Sequence, residues 1–519
     1  MITPAFFGFY NAHRSMLTAQ AALSTINHNI SNANTEGYSR QRVEITAADP
    51  YWAPNNYQLT GGQVGQGSVV DKIIRARDVF LDTQYQNESS GLGLASGANT
   101  ILKQLEGIIG EPSDQGVNAA LQKFFDSAQE LSVNPESIPV RANFIQTATD
   151  LLTVFQQQAA QLYDLRSNIA GTPGASGTFA TSQMGLMTNQ INNKFDEIAA
   201  LNRQIVTIKA SGAEPNDLYD KRDQLLDELS KLIDIKVDRF DNGQINVSIA
   251  DGNVLAVRSA DVLERLTYTM NAGPAPDPFN VPGLLQTTSG QTLNDFTGNE
   301  IQGGQMKALI DMGQYNAADP TKTNVRSVLS NLNTLFTNIA SQVNTLQSTG
   351  RDLSGAVNGL DFYETGAANP PGDPIQLLSW QVNSQFQDVA NGPGRLAAAI
   401  DDPAAAGPPA GWAGVGDGRN ALALAQLRNQ AIAGLGSASF VEYHNALTSN
   451  LGIASSTYGG RAISQQTLLN NLDQQRQSVS GVNTDEEMID MLRFQRMFES
   501  SSKMISVFDD IYKTIINLS

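Results

Sequence analysis

The sequence contains no cysteine. Disulfide staples, thiolate metal sites and thiol nucleophiles are excluded together, and such a chain suits passage through a narrow channel unfolded. Histidine occurs only at His13, His28 and His444, and none belongs to a His-Glu-x-x-His pair, so the helical zinc-peptidase motif is absent. Charge is scarce at 16% of residues, with Asn, Gln, Ser and Thr filling the deficit. The net charge is −18, with no Lys/Arg cluster. Neutralising phosphates or docking on anionic lipid needs a basic face, which sets aside a nucleic-acid partner and a membrane surface. No run of about 18 apolar residues is present to span a bilayer. Residues 1–13 lack the basic n-region of a secretory signal peptide, so an exported chain is expected to leave by another route.

One regular pattern stands against these absences, and it occupies both ends. Ile2, Ala5, Phe9, Ala12, Met16, Ala19, Leu23, Ile26, Ile30 and Ala33 advance in unbroken alternating steps of three and four. That is a heptad seam along one helix face. The same alternation runs through Met491, Phe494, Phe498, Ser501, Ile505, Phe508, Tyr512 and Ile515, polar only at Ser501. A further row, Met497, Met504, Ile511 and Leu518, widens the second face. Two rows make a two-helix seam, and three ask for more than one neighbour. Two core helices closing an ordinary domain would also satisfy the pattern. The sharper reading is that the ends pair as a coiled coil and then meet other copies of the chain. Apolar burial along one seam offsets the entropy of ordering both helices only in part, which favours that reading.

Between the ends, 519 residues allow two to four domains. The first helix is expected to end near Asn32 to Asn34, where side chains compete for backbone hydrogen bonds, with Gly37 as a turn residue. Short strands are expected at 43–46 and 69–74, and helices over most of 76–170, interrupted at 110–112 and 134–139. Further helices are expected over 187–208, from Asn216-Asp217 as cap to Leu232, over 325–346, 419–430 and 440–451, across 460–480, and from Asp485 onward. The period changes to two at Ile233–Phe240, Gln244–Ala250 and Asn253–Val257, joined by Asn242-Gly243 and Asp251-Gly252. This reads as a β-meander, continued by Val262–Tyr268. Residues 271–300 read as loop, 306–312 as helix or short strand, and 350–420 carry little regular pattern.

No catalytic constellation emerges. Gly62, Gly65 and Gly67 lack a surrounding βαβ unit, so they read as a surface loop rather than a phosphate cradle. Gly414, Gly416 and Gly418 read as a linker before a helix. Ser176 lacks the second glycine of a nucleophile elbow. The carboxylates of Asp217–Asp227 and Asp485–Glu487 sit at helix starts and read as dipole-complementing caps. The expected fold is mainly α with a β-rich insertion, in discontinuous nested domains. Residues 1–34 and 485–519 form the terminal coiled-coil domain, 35–232 and 301–484 a mostly helical middle domain, and 233–300 a β-rich outer domain.

Residues 19–41, with Asn29, Ser31, Asn32, Gly37 and Tyr38, resemble the N-terminal signature of bacterial flagellar rod, hook and hook-associated proteins. The stretch Ser480-Gly481-Val482-Asn483-Thr484-Asp485-Glu486-Glu487, followed by Phe494-Gln495-Arg496, resembles the FlgK family more narrowly. Internal matches are Asn216-Asp217-Leu218 with Arg222-Asp223-Gln224-Leu225, Gly303-Gly304-Gln305-Met306, and Gly418 to Leu424. The resemblance implies a structural subunit at the hook–filament junction, not an enzyme and without cofactor, exported through the flagellar type III apparatus without a cleaved signal. It implies an extracellular place in the flagellum. The implied partners are copies of itself, hook protein, the third hook-associated protein, and an export chaperone on the C-terminal helix. The assembly interface would then be Phe9, Met16, Leu23, Ile26, Ile30, Met491, Phe494, Phe498, Ile505, Phe508, Tyr512 and Ile515. Only about thirty residues separate Asp361-Phe362-Tyr363 from Arg395-Leu396-Ala397, where some relatives carry a large β insertion, so the outer region is expected to be small. The alternatives are another axial protein (hook protein, third hook-associated protein or flagellin), or an adhesin carried on an axial scaffold in 233–300 or 350–418.

Overall fold

A computed structural model describes residues 5–50, 65–110, 113–172, 178–269, 284–293, 301–313, 323–366, 376–405 and 408–518. Its elements in chain order are α1 (Ala5–Ser31), β1 (Gln41–Ala47), β2 (Ser68–Arg75), α2 (Val79–Ile109), α3 (Val117–Val133), α4 (Ile138–Ala170), α5 (Thr178–Thr181), α6 (Gln183–Ala210) and α7 (Asn216–Leu232). Strands β3 (Ile235–Arg239), β4 (Ile245–Ile249), β5 (Val254–Arg258), β6 (Asp261–Val262), β7 (Leu266–Thr269) and β8 (Leu284–Thr287) follow. Then come α8 (Gly304–Gly313), α9 (Val325–Thr349), β9 (Tyr363–Thr365), α10 (Gln376–Ser379), β10 (Trp380–Val382), α11 (Ser384–Gln387), α12 (Gly392–Arg395), α13 (Arg419–Gln426), α14 (Phe440–Ser480) and α15 (Thr484–Leu518). The chain is mostly helical with small antiparallel sheets. It divides into two compact units: residues 1–91, 191–265 and 465–519, and residues 92–190 and 266–464.

In the first unit, β1 and β2 form an antiparallel hairpin with a bulge between Glu44 and Ile45. The hairpin lies on α1, where the Thr18 hydroxyl donates to the Ser68 carbonyl and Arg14 Nη1 to that of Gln66. Of the three glycines read as a loop, Gly62 lies outside the described residues. Gly65 accepts from Asn11 Nδ2, and Gly67 closes the hairpin by accepting from the Ala48 amide. The meander forms a four-stranded sheet in the order β3-β4-β5-β6. The β4–β5 turn places Ala250 and Asp251 at φ 52° and 54° before Gly252, as a tight hairpin demands. The expected strand Val262–Tyr268 is not continuous. The Leu263 and Glu264 amides both turn onto the Ala256 carbonyl, ending β6 after two residues.

In the second unit, α3, α4, α9 and α13 pack around an aromatic core. Phe124 lies 5.2 Å from Phe144, Phe155 5.3 Å from Phe336, and Phe362 5.1 Å from Phe386, ring centre to ring centre. Each such pair adds to the area term. Helix α9 starts in a capping box, Asn324 accepting from the Ser327 amide at 2.8 Å while its own amide donates to the Ser327 hydroxyl. Patternless as they read, residues 350–420 carry part of this core. Phe362, Tyr363 and Phe386 are fully buried, and the Tyr363 hydroxyl donates to the Ala148 carbonyl at 2.8 Å. Strand β7 pairs with β8 here as a separate ribbon. Residues 306–312 resolve as helix α8, and the two helices expected in 440–480 are one continuous α14. Gly459 lets it pass close to Asn99, 3.3 Å from where a Cβ would stand.

Candidate functional site: a clasp between the two chain ends

Helices α1 and α15 pack side by side within the first unit. They run antiparallel, with Gly8 against Phe508 and Asn29 against Glu487. A Cβ on Gly8 would fall 2.1 Å from the end of the Phe508 ring, so the glycine forms the notch that this ring fills. The described seam residues lie in or beside the contact. Phe9, Met16, Leu23, Ile30, Met491, Phe494, Phe498, Ile505, Phe508 and Tyr512 are half-buried, and Ile26 is buried. Small residues take the most enclosed positions: Ala12, Ala19 and Ala22 on α1 and Ser501 on α15. The side chain of Ile515, and residue 2, lie outside the described residues.

The pairing is pinned by one buried polar residue. Asn29, 1% exposed, uses its whole hydrogen-bonding capacity. Its Nδ2 donates to the Gln41 carbonyl at 2.9 Å and to Glu487 Oε2 at 3.0 Å. Its Oδ1 accepts from the Gln41 amide at 2.9 Å and the Tyr38 hydroxyl at 2.8 Å. Glu487, 2% exposed, accepts from Arg40 Nε at 2.6 Å, and Arg40 also reaches Glu486 at 3.0 Å. The Arg40 amide donates to the Ser480 carbonyl at 2.8 Å, tying β1's approach to the end of α14. The Gly481 amide returns to the Gln477 carbonyl at 2.8 Å, and a Cβ there would stand 2.4 Å from that oxygen. Asn483 caps α15, its Oδ1 accepting from the Asp485 amide at 3.0 Å. Asn32 closes α1 by donating to the His28 carbonyl. Ser31 and Gly37 are exposed, Val482 half-buried. Motifs more than 400 residues apart in sequence thus meet at one point.

Sequence reasoning missed the ionic layer behind this point. The dipole reading holds for Asp217 and Asp485, which stand in first turns. It does not hold for Asp220, Asp223 or Asp227, which lie further along α7 and face arginines, whereas Glu487 stands in the first turn of α15 and also pairs with Arg40. Nor is α7 capped by Asn216-Asp217: Pro215 takes that position, Asn216 Nδ2 donates to the Ile73 carbonyl, and Asp217 accepts from Gln41. Arg75 donates to Asp220 at 2.6 Å and to Asp223 at 3.0 Å, and Arg239 to Asp223 at 3.1 Å. Arg77 pairs with Asp82 at 2.8 Å, while Arg476 reaches Asp82 at 3.1 Å and Asp227 at 2.8 Å. Burial alone would push the Asp223 carboxyl up, yet Arg77, Arg75, Arg239 and Arg222 together hold it well below the usual carboxylate range. For Asp227 burial prevails over Arg476, and its carboxyl is pushed up. Burial also lowers the Arg222 guanidinium to about 10. The available signals were the 3–4 spacing of Asp220, Asp223 and Asp227 beside buried Leu226, and the alternation of Arg75 and Arg77. A polar hollow of about 930 Å3 opens beside the layer, lined by Arg40, Arg77, Asp227, Arg476 and Glu486 among others. Among the described residues no carboxylate–histidine group is placed to hold a metal ion, and no helix is long and apolar enough to cross a membrane.

Residues 473–518, which contain the C-terminal half of the clasp, match the family model "Flagellar basal body rod FlgEFG protein C-terminal". This end of the chain is therefore of the flagellar rod-and-hook type. Residues 102–363 match the model "Flagellar hook-associated protein FlgK helical domain", and the chain belongs to the FlgK family. Flagellar hook-associated protein 1 of Bacillus subtilis is 29% identical over 530 residues, covering 99% of each chain. The protein of that name in Salmonella typhimurium is 27% identical over 582 residues, covering 98% of this chain and 99% of the relative. The solved flagellar hook junction protein FlgK from Burkholderia pseudomallei has the same fold, with a TM-score of 0.60 at 18% identity, covering 76% of this chain and 100% of that one.

Proposed function

We propose that this chain is a structural, non-catalytic subunit joining hook to filament in the bacterial flagellum. The observation that carries the reading is the clasp: Asn29 and Arg40 from one end of the chain hold Glu487 from the other. A helix pair fixed in register this way presents both chain ends as one surface, the form an assembling subunit needs. In this reading α1 and α15 are an antiparallel coiled coil in the innermost of nested domains, and the seam from Phe9 to Ile30 and from Met491 to Ile515 is the assembly interface. Copies of the chain form a layer, flanked by hook protein on one side and the third hook-associated protein on the other. The subunit reaches the cell exterior through the type III apparatus, with a chaperone on its C-terminal helix beforehand. The cysteine-free composition suits that passage. Electron microscopy of a strain lacking this protein tests the reading. Hooks without filaments and flagellin shed into the medium, both restored by the full chain, are expected. Normal filaments in the deletion strain would refute it.

A further inference from the structure

Near the end of α14, the Arg476 guanidinium meets three groups at once. Its Nε pairs with Asp82 Oδ1 at 3.1 Å, its Nη2 donates to Asp227 Oδ2 at 2.8 Å, and its central carbon stands 4.4 Å from the centre of the Tyr85 ring. The side chain is 13% exposed. Two carboxylates on separate nitrogens, with an aromatic ring alongside, suit a flat fork and not the point charge of an ammonium.

The carboxylates of this site are held by something other than Arg476. Arg77 Nε donates to Asp82 at 2.8 Å, and Gln86 Nε2 donates to Asp227 Oδ1 at 3.2 Å. Asp82, Tyr85 and Gln86 share α2, and Asp227 stands on α7. The walls thus belong to residues 77–227 and the occupant to the far end of the chain. Burial pushes the Asp227 carboxyl up even beside Arg476, so leaving the site empty is costly. Arg476 also sits where the direction of the last helix is decided. Leu469 and Leu472 are buried, and Arg476, seven and four residues on, continues their face of α14. The Ser480 hydroxyl donates to the Arg476 carbonyl at 2.7 Å, the Arg40 amide donates to the Ser480 carbonyl at 2.8 Å, and the chain then turns at Gly481 into α15.

We propose that Asp82, Asp227 and Tyr85 form a guanidinium-selective socket, and that Arg476 seated in it positions the end of α14 so that α15 arrives in register on α1. The site takes arginine and refuses lysine. The socket acts within one molecule, so its failure leaves the junction reading untouched, and the reverse also holds.

Amide exchange of the full chain is the test. In Arg476→Ala, exchange across α15 should rise at least about 10-fold while the β3–β5 strands keep their protection. Millimolar ethylguanidinium should restore the protection of α15, and ethylammonium, of equal charge, should not. Arg476→Lys should lose protection as the alanine variant does, and it carries the comparison if Arg476→Ala fails to fold. Unchanged exchange in Arg476→Ala, restoration by neither cation or by both alike, or full protection in Arg476→Lys would overturn the socket.

Discussion

Asp223 is the residue on which the ionic layer turns. It has no exposed surface, and three arginines from two segments, Arg75 and Arg77 at and just after the end of β2 and Arg239 on β3, converge on it. Removing one partner of a buried pair costs about 3–5 kcal/mol, because the charges left behind stay desolvated. Asp223→Asn should lose that much stability at neutral pH, read as a lower urea midpoint. The acid side follows from its depressed folded pKa. Its contribution is fully present above the unfolded carboxylate value of about 3.9 and fades as pH falls through the still lower folded value. Asp227 has the opposite sign. Burial raises it, so its charged form weakens folding as pH rises through the folded value. Asp227→Asn should therefore cost less at neutral pH than Asp223→Asn, and equal losses in the two variants would contradict this division.

The decisive element is the α1–α15 pair. Its seams can be read from the strict 3–4 alternation, and the seam residues whose side chains are described are buried or half-buried. Less legible was what sets its register. Apolar periodicity permits a slip by one heptad, whereas a fully satisfied Asn29 permits a single alignment, and a polar residue inside a seam reads only as an interruption. The central strands were readable from Asn242-Gly243 and Asp251-Gly252, but the break after β6 depends on one carbonyl accepting from two amides, which no local pattern records. Residues 350–420 were unreadable for a similar reason: Phe362, Tyr363 and Phe386 are held by contacts distant in sequence, not by a period. Glu487→Ala leaves Arg40 and Asn29 without their shared partner. Amide exchange in α15 should rise about 100-fold, the equivalent of roughly 3 kcal/mol, while the β3–β5 sheet keeps its protection. Unchanged exchange in α15 would show that the clasp does not hold the helix.

For the whole molecule, the FlgK family assignment gives the address, and the physical account says which part of the chain answers to it. The second unit carries a large aromatic core that closes on itself. The first unit carries the paired ends, whose outward faces are left greasy, with large side chains such as Ile489, Leu492, Val507 and Ile516 more than half exposed. Such surface on a helix pair is a cost in isolation and becomes favourable when a partner covers it. The account stands or falls on that pair being what inserts the subunit into the flagellum. The direct measurement is electron microscopy of a deletion strain producing the Phe498→Asp, Ile505→Asp double variant at normal levels. Bare hooks, lost motility and an intact aromatic core by near-ultraviolet circular dichroism are expected; filaments on those hooks and ordinary swimming would contradict it.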